Sequence, residues 1–308
     1  MLPSLRAALA GCAVLSVAAA LSGPAAAESP ACADIAARWA AQKADLQTPQ
    51  ISAMLFSASD NDCAQVAETL LAAGALLEAK DRFGNTPLAH AAREGKLEMM
   101  KLLLAHGADI GHQNVAGSSA LFVAIERHHP NAAVLLIERG ADPNVPGRSG
   151  ATPLAAAAFA GEEDSVAALL AHHADPKVPD RTGKAPIVYA AARGRAGIVK
   201  LLLAAGVDIN ARYENDLTAL MWGAGHADGV PEREGLAVVT LLLDGGAHVD
   251  DADNRGRTAL MIAAERGHAG IAKLLLAHGA NVGLHDKQGK SALDLAADDA
   301  TRAILTPG

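Results

Sequence analysis

The chain has 308 residues, of which 51% are hydrophobic and only 3% are aromatic. Alanine dominates the hydrophobic set, and small side chains favour closely packed helices. A β-sandwich or barrel draws instead on β-branched and aromatic residues. The formal net charge of −8 argues against a nucleic-acid partner, since such partners select basic surfaces.

Residues 1–27 have the pattern of a cleavable signal peptide. Arg6 precedes an apolar run over residues 7–21, and the small residues 25–27 suit cleavage before Glu28. The run is shorter than the roughly 20 residues that span a bilayer, so we expect no membrane association after cleavage. The sequence therefore predicts a periplasmic or secreted protein.

The three cysteines raise two separate questions. Residues 9–12 (LAGC) resemble a bacterial lipobox that would place lipid on Cys12, but the apolar run continues well beyond that residue. An ordinary signal peptide is favoured, and lipidation stays the alternative. Cys32 and Cys63 would remain after cleavage, and an even pair in an oxidising compartment predicts a disulfide. Two buried thiols are the alternative.

A period of 33 residues runs through most of the chain. Two independent markers share it, with one interval of 40 residues at the same place in both. The first marker is a threonine or a small substitute. The second is a glycine, which accepts the left-handed backbone that ends a helix. His173 replaces it once, and histidine tolerates positive φ better than most residues. The first set comprises Thr86, Ser119, Thr152, Ala185, Thr218, Thr258 and Ser291, and the second Gly74, Gly107, Gly140, His173, Gly206, Gly246 and Gly279.

Each repeated unit predicts two helices. Thr86-Pro87 is typical of a helix start, because threonine caps a free N–H and proline suits the first helical position. A short alanine-rich helix follows, and a second helix carries leucine four residues before the closing marker. One unit cannot bury its leucine face alone, so the units must stack.

The residues GNTPL at 84–88, AAREG at 91–95 and LLLAHGAD at 102–109 resemble an ankyrin repeat. The resemblance covers about residues 48–308. It implies an all-α repeat solenoid of stacked helix–turn–helix units with β-turn fingers, a concave groove, and protein binding without chemistry of its own. The family usually carries histidine after Thr-Pro-Leu, whereas this chain has mostly apolar residues there, such as Ala89 and Phe122. Apolar contact between units is therefore expected at that position.

The resulting organisation has three parts. A signal peptide occupies residues 1–27, an N-terminal capping helix lies within 28–47, and repeats fill 48–308. The expected units are 48–80 as a cap, 81–113, 114–146, 147–179, 180–212, 213–252 with the insertion, 253–285, and 286–308 as the C-terminal cap.

The resemblance places partner contacts at the turn tips and at the exposed ends of the first helices. Basic residues recur there, which predicts a track for an acidic partner surface; basic turns that only aid solubility are the alternative. Phe159 is the strongest single anchor candidate, because aromatics are scarce and its position is usually exposed. The candidate partner-binding residues are Arg82, Phe83, Arg93, Arg127, Arg148, Phe159, Arg181, Arg193, Tyr213, His226 and Arg257.

The insertion gives unit 213–252 seven extra residues, around residues 226–235. It is expected to lengthen the connection between the two helices of that unit. Long loops on rigid scaffolds often carry function, and a neutral insertion is an equal alternative.

Motifs for catalysis and metal binding are missing from the sequence. There is no Gly-rich phosphate loop, HExxH or GxSxG, and the adjacent histidine pairs lack the spacing of a zinc site. No cofactor or metal is expected.

The leading hypothesis is a monomeric, non-catalytic scaffold that binds another protein. An inhibitor or accessory subunit of a periplasmic enzyme is the alternative, ahead of an unrecognised hydrolase.

Overall fold

The structure is a computed structural model that describes residues 29–148 and 150–306. The predicted signal peptide and Cys12 lie outside this part. The described residues form seventeen α-helices and one short 3₁₀ helix, Glu214–Asp216. The α-helices are α1 Pro30–Gln42, α2 Thr48–Asp60, α3 Ala64–Ala72, α4 Pro87–Arg93, α5 Leu97–Ala105, α6 Ala120–Glu126, α7 Pro130–Glu138, α8 Pro153–Ala160, α9 Glu163–Ala171, α10 Pro186–Ala192, α11 Ala196–Ala204, α12 Ala219–Ala224, α13 Glu232–Asp244, α14 Ala259–Glu265, α15 Ala269–Ala277, α16 Ala292–Leu295 and α17 Asp299–Leu305.

The repeated threonine caps the first helix of its unit, as predicted. The Thr86 hydroxyl accepts a hydrogen bond from the Ala89 N–H at 3.3 Å, and Pro87 fills the first helical position. Ser119 and Thr152 cap α6 and α8 in the same way. Each such cap contributes on the order of 1 kcal/mol.

The second marker ends the second helix by a left-handed backbone conformation. Gly107 has φ +87°, a region that costs glycine little because it lacks a Cβ. His173 occupies the equivalent position with φ +67°. The interpretation of His173 as a tolerated substitute for glycine is therefore confirmed.

The helix pairs stack into a solenoid with one continuous core. First helices pack on first helices, second helices pack on second helices, and the core runs from Cys32 to Leu305. The alanine-rich first helices approach more closely than the leucine-rich second helices, so the first-helix row is the concave side. The predicted leucine of every second helix is fully buried: Leu70, Leu103, Leu136, Leu169, Leu202, Leu242 and Leu275.

Backbone hydrogen bonds join successive turn tips along one edge of the solenoid. The Val115 N–H donates to the Phe83 carbonyl at 2.9 Å, and the Lys287 N–H donates to the Arg255 carbonyl at 2.8 Å. Within a tip, the Asp81 carboxylate accepts from the Phe83 N–H at 2.8 Å. The tips joined in this way form an ordered row of side-chain attachment points.

The N-terminal helix α1 covers the first unit. Ile35 is buried, and the Sγ atoms of Cys32 and Cys63 lie 2.06 Å apart, at the distance of a disulfide bond. The two cysteines are separated by 31 residues. Closing a loop of that length in the unfolded chain stabilises the folded state by about 3–4 kcal/mol in the chain-entropy model.

The insertion lengthens the connection between the two helices of its unit, as expected, and it also lengthens the second helix. The connection between α12 and α13 is longer, over residues 225–231, but α13 itself also grows to 13 residues where its counterpart α11 has 9. The inserted segment packs on the preceding unit, since the Ala227 N–H donates to the Ala192 carbonyl at 2.9 Å. The extra residues therefore form an ordered part of the stack.

We predict that Leu202→Ala lowers the free energy of unfolding by about 2–5 kcal/mol, because it opens a cavity between stacked units. Arg148→Ala is the matched control, since its exposed side chain should change stability by less than about 0.5 kcal/mol. Urea unfolding measures both. Equal shifts for the two variants would contradict this division into core and rim.

Candidate functional site

An apolar cleft opens on the concave side between units 114–146 and 147–179, and reaches unit 180–212. Its volume is about 320 Å³. Phe122, Ile125 and Ala155 are buried and form its floor. The complete lining is Phe122, Ile125, Glu126, His128, Ala151, Ala155, Ala156, Phe159, Ala160 and Tyr189.

Phe159 forms one wall of this cleft and is 47% exposed. Its ring meets the Tyr189 ring edge-on, with the ring centroids 5.9 Å apart. The Arg193 guanidinium carbon lies 4.6 Å from the Phe159 ring centroid, within cation–π distance. Two of the predicted partner-binding residues, Phe159 and Arg193, are thus brought together although they belong to different units.

Tyr189 is a site residue that sequence reasoning missed. Its hydroxyl donates a hydrogen bond to the Asp180 carboxylate. Burial, and then the hydrogen bond to Asp180, raise the pKa of Tyr189 to about 12, so the hydroxyl stays protonated. A signal was present: position 189 repeats in each first helix and faces the concave side.

Asp180 holds this wall of the cleft in place. The Asp180 carboxylate also accepts hydrogen bonds from the Thr182 N–H at 2.8 Å and the Lys184 N–H at 3.2 Å. Burial raises the pKa of Asp180, but hydrogen bonds from Tyr189 and the turn outweigh burial and hold the pKa below its ordinary value. The ionised carboxylate therefore fixes the Tyr189 ring against Phe159.

The turn tips present basic and aromatic side chains. Phe83 is 55% exposed and carries the Arg82 guanidinium carbon 4.6 Å from its ring centroid. Arg148 is exposed, and Arg181 donates from Nη1 to the Arg148 carbonyl at 3.1 Å. All four residues lie in turn tips, the positions that the prediction of a basic track assigned to partner contacts.

A family model described as ankyrin repeats (3 copies) matches residues 53–147 and 140–213, and another, ankyrin repeats (many copies), matches residues 242–296. The chain belongs to the ankyrin repeat family. Ankyrin repeats generally serve as protein-binding scaffold domains and are typically non-catalytic. The concave cleft and the tip row are therefore the surfaces to consider for a partner.

Two solved structures show the same stacked helix pairs. The human ASB11 ankyrin repeat domain is 31% identical, with a TM-score of 0.65, over 72% of this chain and 96% of that domain. The ankyrin repeat domain of Bcl-3, a member of the IκB protein family, is 26% identical, with a TM-score of 0.59, over 72% of this chain and 98% of that domain. A search of the curated proteins finds no match.

Three predicted partner-binding residues of this ankyrin repeat protein are paired with other residues or partly covered. Arg93 pairs with Asp60 of the preceding unit at 3.1 Å. Arg257 pairs with Asp253 and Glu265 and is largely covered. Tyr213 is half-buried. These three are less available to a partner than the pattern indicated, whereas Arg127 is exposed.

His226 is not a surface residue, contrary to the prediction that it contacts a partner. It is 4% exposed, and its ring stacks on His268 of the next unit with centroids 3.9 Å apart. Nδ1 donates to the Ala227 carbonyl at 3.3 Å, and the buried Nε2 has no hydrogen-bond partner in the described chain. The insertion folds back over this residue, which is why the exposed position of other units is covered here.

Within residues 29–148 and 150–306, no cluster of three or more His, Cys, Asp or Glu side chains is arranged to hold a metal ion. No helix in the same part of the chain is long and apolar enough to cross a membrane.

We predict that the stability of the protein depends on pH through His226. Burial lowers the pKa of His226 below its ordinary value and outweighs the opposing hydrogen bond to Ala227. The nearby charges of Glu232 and Asp228 also oppose the shift, whereas His268 adds to it. As the pH falls through about 6.5, this histidine takes up a proton more readily in the unfolded chain than in the folded chain. The free energy of unfolding therefore decreases as the pH falls.

Urea unfolding between pH 7.5 and pH 5.5 measures this dependence, and His226→Gln should reduce its slope. His172→Gln is the control, because it makes the same substitution at an exposed histidine. The same slope in the wild type and in His226→Gln would rule out the buried imidazole as the cause.

Proposed function

We propose that this chain is an exported, non-catalytic ankyrin scaffold that binds another protein through the cleft and the adjoining turn tips. One observation carries the proposal: the exposed Phe159, with Arg193 stacked on it, beside an apolar cleft. Exposed aromatic and arginine side chains are the residue types that dominate protein–protein binding energy. Aromatic residues are scarce in this chain, so their placement at one open cleft supports the proposal that the partner binds there.

Export is the second part of the proposal and rests on residues 1–27 together with the cysteine pair. A signal peptide delivers a chain to an oxidising compartment, where disulfides form and persist. The disulfide distance between Cys32 and Cys63 agrees with that destination. The pair ties α1 to the first unit, the end of the stack where a solenoid otherwise frays.

We predict that the full chain, expressed in a Gram-negative host and recovered from the periplasm, begins at Glu28 and has no free thiol. Intact mass spectrometry without reduction should give the mass of residues 28–308 less the two thiol hydrogens. The Cys32→Ser/Cys63→Ser variant is the control for the thiol chemistry. A chain that keeps residues 1–27, carries lipid on Cys12, or has two free thiols would contradict the proposal.

We predict that the double variant Arg148→Ala/Phe159→Ala loses its partner. Cross-linked pull-down from periplasmic extract, quantified by mass spectrometry, should show about a tenfold or greater drop in one co-purified protein, because two exposed anchors are removed. The control is Arg139→Ala/Lys200→Ala, two exposed residues on the second-helix side. Equal recovery with both double variants would refute this surface. If the captured protein is an enzyme, a change in its activity distinguishes an inhibitor from a scaffold.

A further inference from the structure

We infer that the cleft receives one bulky apolar side chain from an acidic segment of the partner protein. This inference rests on the proposed function and specifies its contact. Two observations support it. One is the set of side chains that successive units present on the concave side, and the other is the charge at the rim of the cleft.

The cleft exists because one unit has a small residue where its neighbours have large ones. The fourth residue of the first helix faces the concave side in every unit, and it is Val123, Ala156, Tyr189 and Trp222 in four successive units. Ala156 is the smallest of these and lines the cleft. A larger side chain at position 156 would therefore fill part of the cleft beside Tyr189.

A second row of equivalent positions has the same gap. It reads Arg127, Ala160 and Arg193 in three successive units. Ala160 lines the cleft, and the two arginines lie one unit to either side of it. Unit 147–179 thus combines two alanines at concave positions with a cation on each flank.

The walls are held in place before any partner arrives. Phe122, Ile125 and Ala155 are part of the buried interior, and the hydrogen bond from Tyr189 to Asp180 fixes the opposite wall. A preformed apolar cleft lowers the entropic cost of binding. This geometry fits a side chain such as leucine or phenylalanine, which gains from leaving water.

The charges around the cleft determine which residues are favoured beside that apolar side chain in the partner segment. Arg193 covers Phe159, and Arg181 packs across Gly150, whose hypothetical Cβ would lie 2.7 Å from the Arg181 Cγ. Among the lining residues, Glu126 is the only carboxylate and His128 the other titratable group besides Tyr189. This lining contains no Lys or Arg, and the cations Arg181 and Arg193 lie at its rim. The rim arginines favour an acidic partner segment and disfavour a basic one.

The test is a phage-displayed library of random 12-residue peptides, selected on the mature protein and counter-selected on Ala156→Ile. Isoleucine stands at the equivalent position in α14 as Ile262, so the fold accommodates it there. We expect the enriched peptides to share one Leu, Phe, Ile or Met flanked by Asp or Glu. A selection that enriches basic peptides, peptides without a bulky apolar residue, or none that distinguish the two proteins would overturn the inference.

The most enriched peptide is then synthesised with a fluorescein label and measured by fluorescence anisotropy. Ala156→Ile and Ala156→Val, which copies Val123, should each weaken binding about tenfold or more, with circular dichroism confirming the fold. Arg193→Ala should weaken binding and reduce its salt dependence, whereas Arg139→Ala should change neither. Unchanged affinity in both filled variants would overturn the inference.

The pull-down separates this inference from the proposed function. If Ala156→Ile still captures the partner while Arg148→Ala/Phe159→Ala does not, the scaffold binds its partner at the tips and the cleft is not the contact. Loss of the partner with Ala156→Ile as well supports the cleft. If no protein depends on either surface, the proposed function fails.

Discussion

The structure depends on the burial of apolar surface between neighbouring units. A single helix pair exposes the face that carries its leucine, and only a second pair can cover that face. Leu103 and Leu202 are fully buried because units on both sides contribute to their surroundings. The termini lack one neighbour each, and the chain solves this differently at the two ends. Helix α1 and the cysteine pair cover the first unit, whereas the short helix α16 and α17 end the stack.

Stacking in fixed register turns each position of the repeat into a row on the surface. A change in one unit then appears as a local departure in an otherwise regular row. Ala156 and Ala160 are such departures, and both line the cleft. The substitution of Phe159 where the preceding unit has Glu126 adds an aromatic wall to the same unit. The candidate site is thus made by side-chain choice on a repeated frame.

The insertion shows how a unit can change without losing its place in the stack. The extra residues lengthen α13 and fold the connecting segment over Gly194 of the preceding unit, which has no Cβ to obstruct Val230. This covers His226 and brings it against His268. The insertion therefore joins the interface between units, and its exposed part, such as Asp228, is smaller than its length indicates.

The sequence alone determined the period, the capping threonines, the buried leucines and the left-handed conformation of His173. The caps and the left-handed residue depend on contacts within one unit. The period and the buried leucines follow from the need of every unit to bury the same apolar face. It also predicted that Phe159 is exposed. Only the tertiary structure decided which exposed positions are occupied by other contacts. Arg93 pairs with Asp60 of the preceding unit, and His226 is buried beneath the insertion. Such contacts join residues on different units, and their geometry follows from side-chain conformations at each interface, which the repeat pattern does not specify.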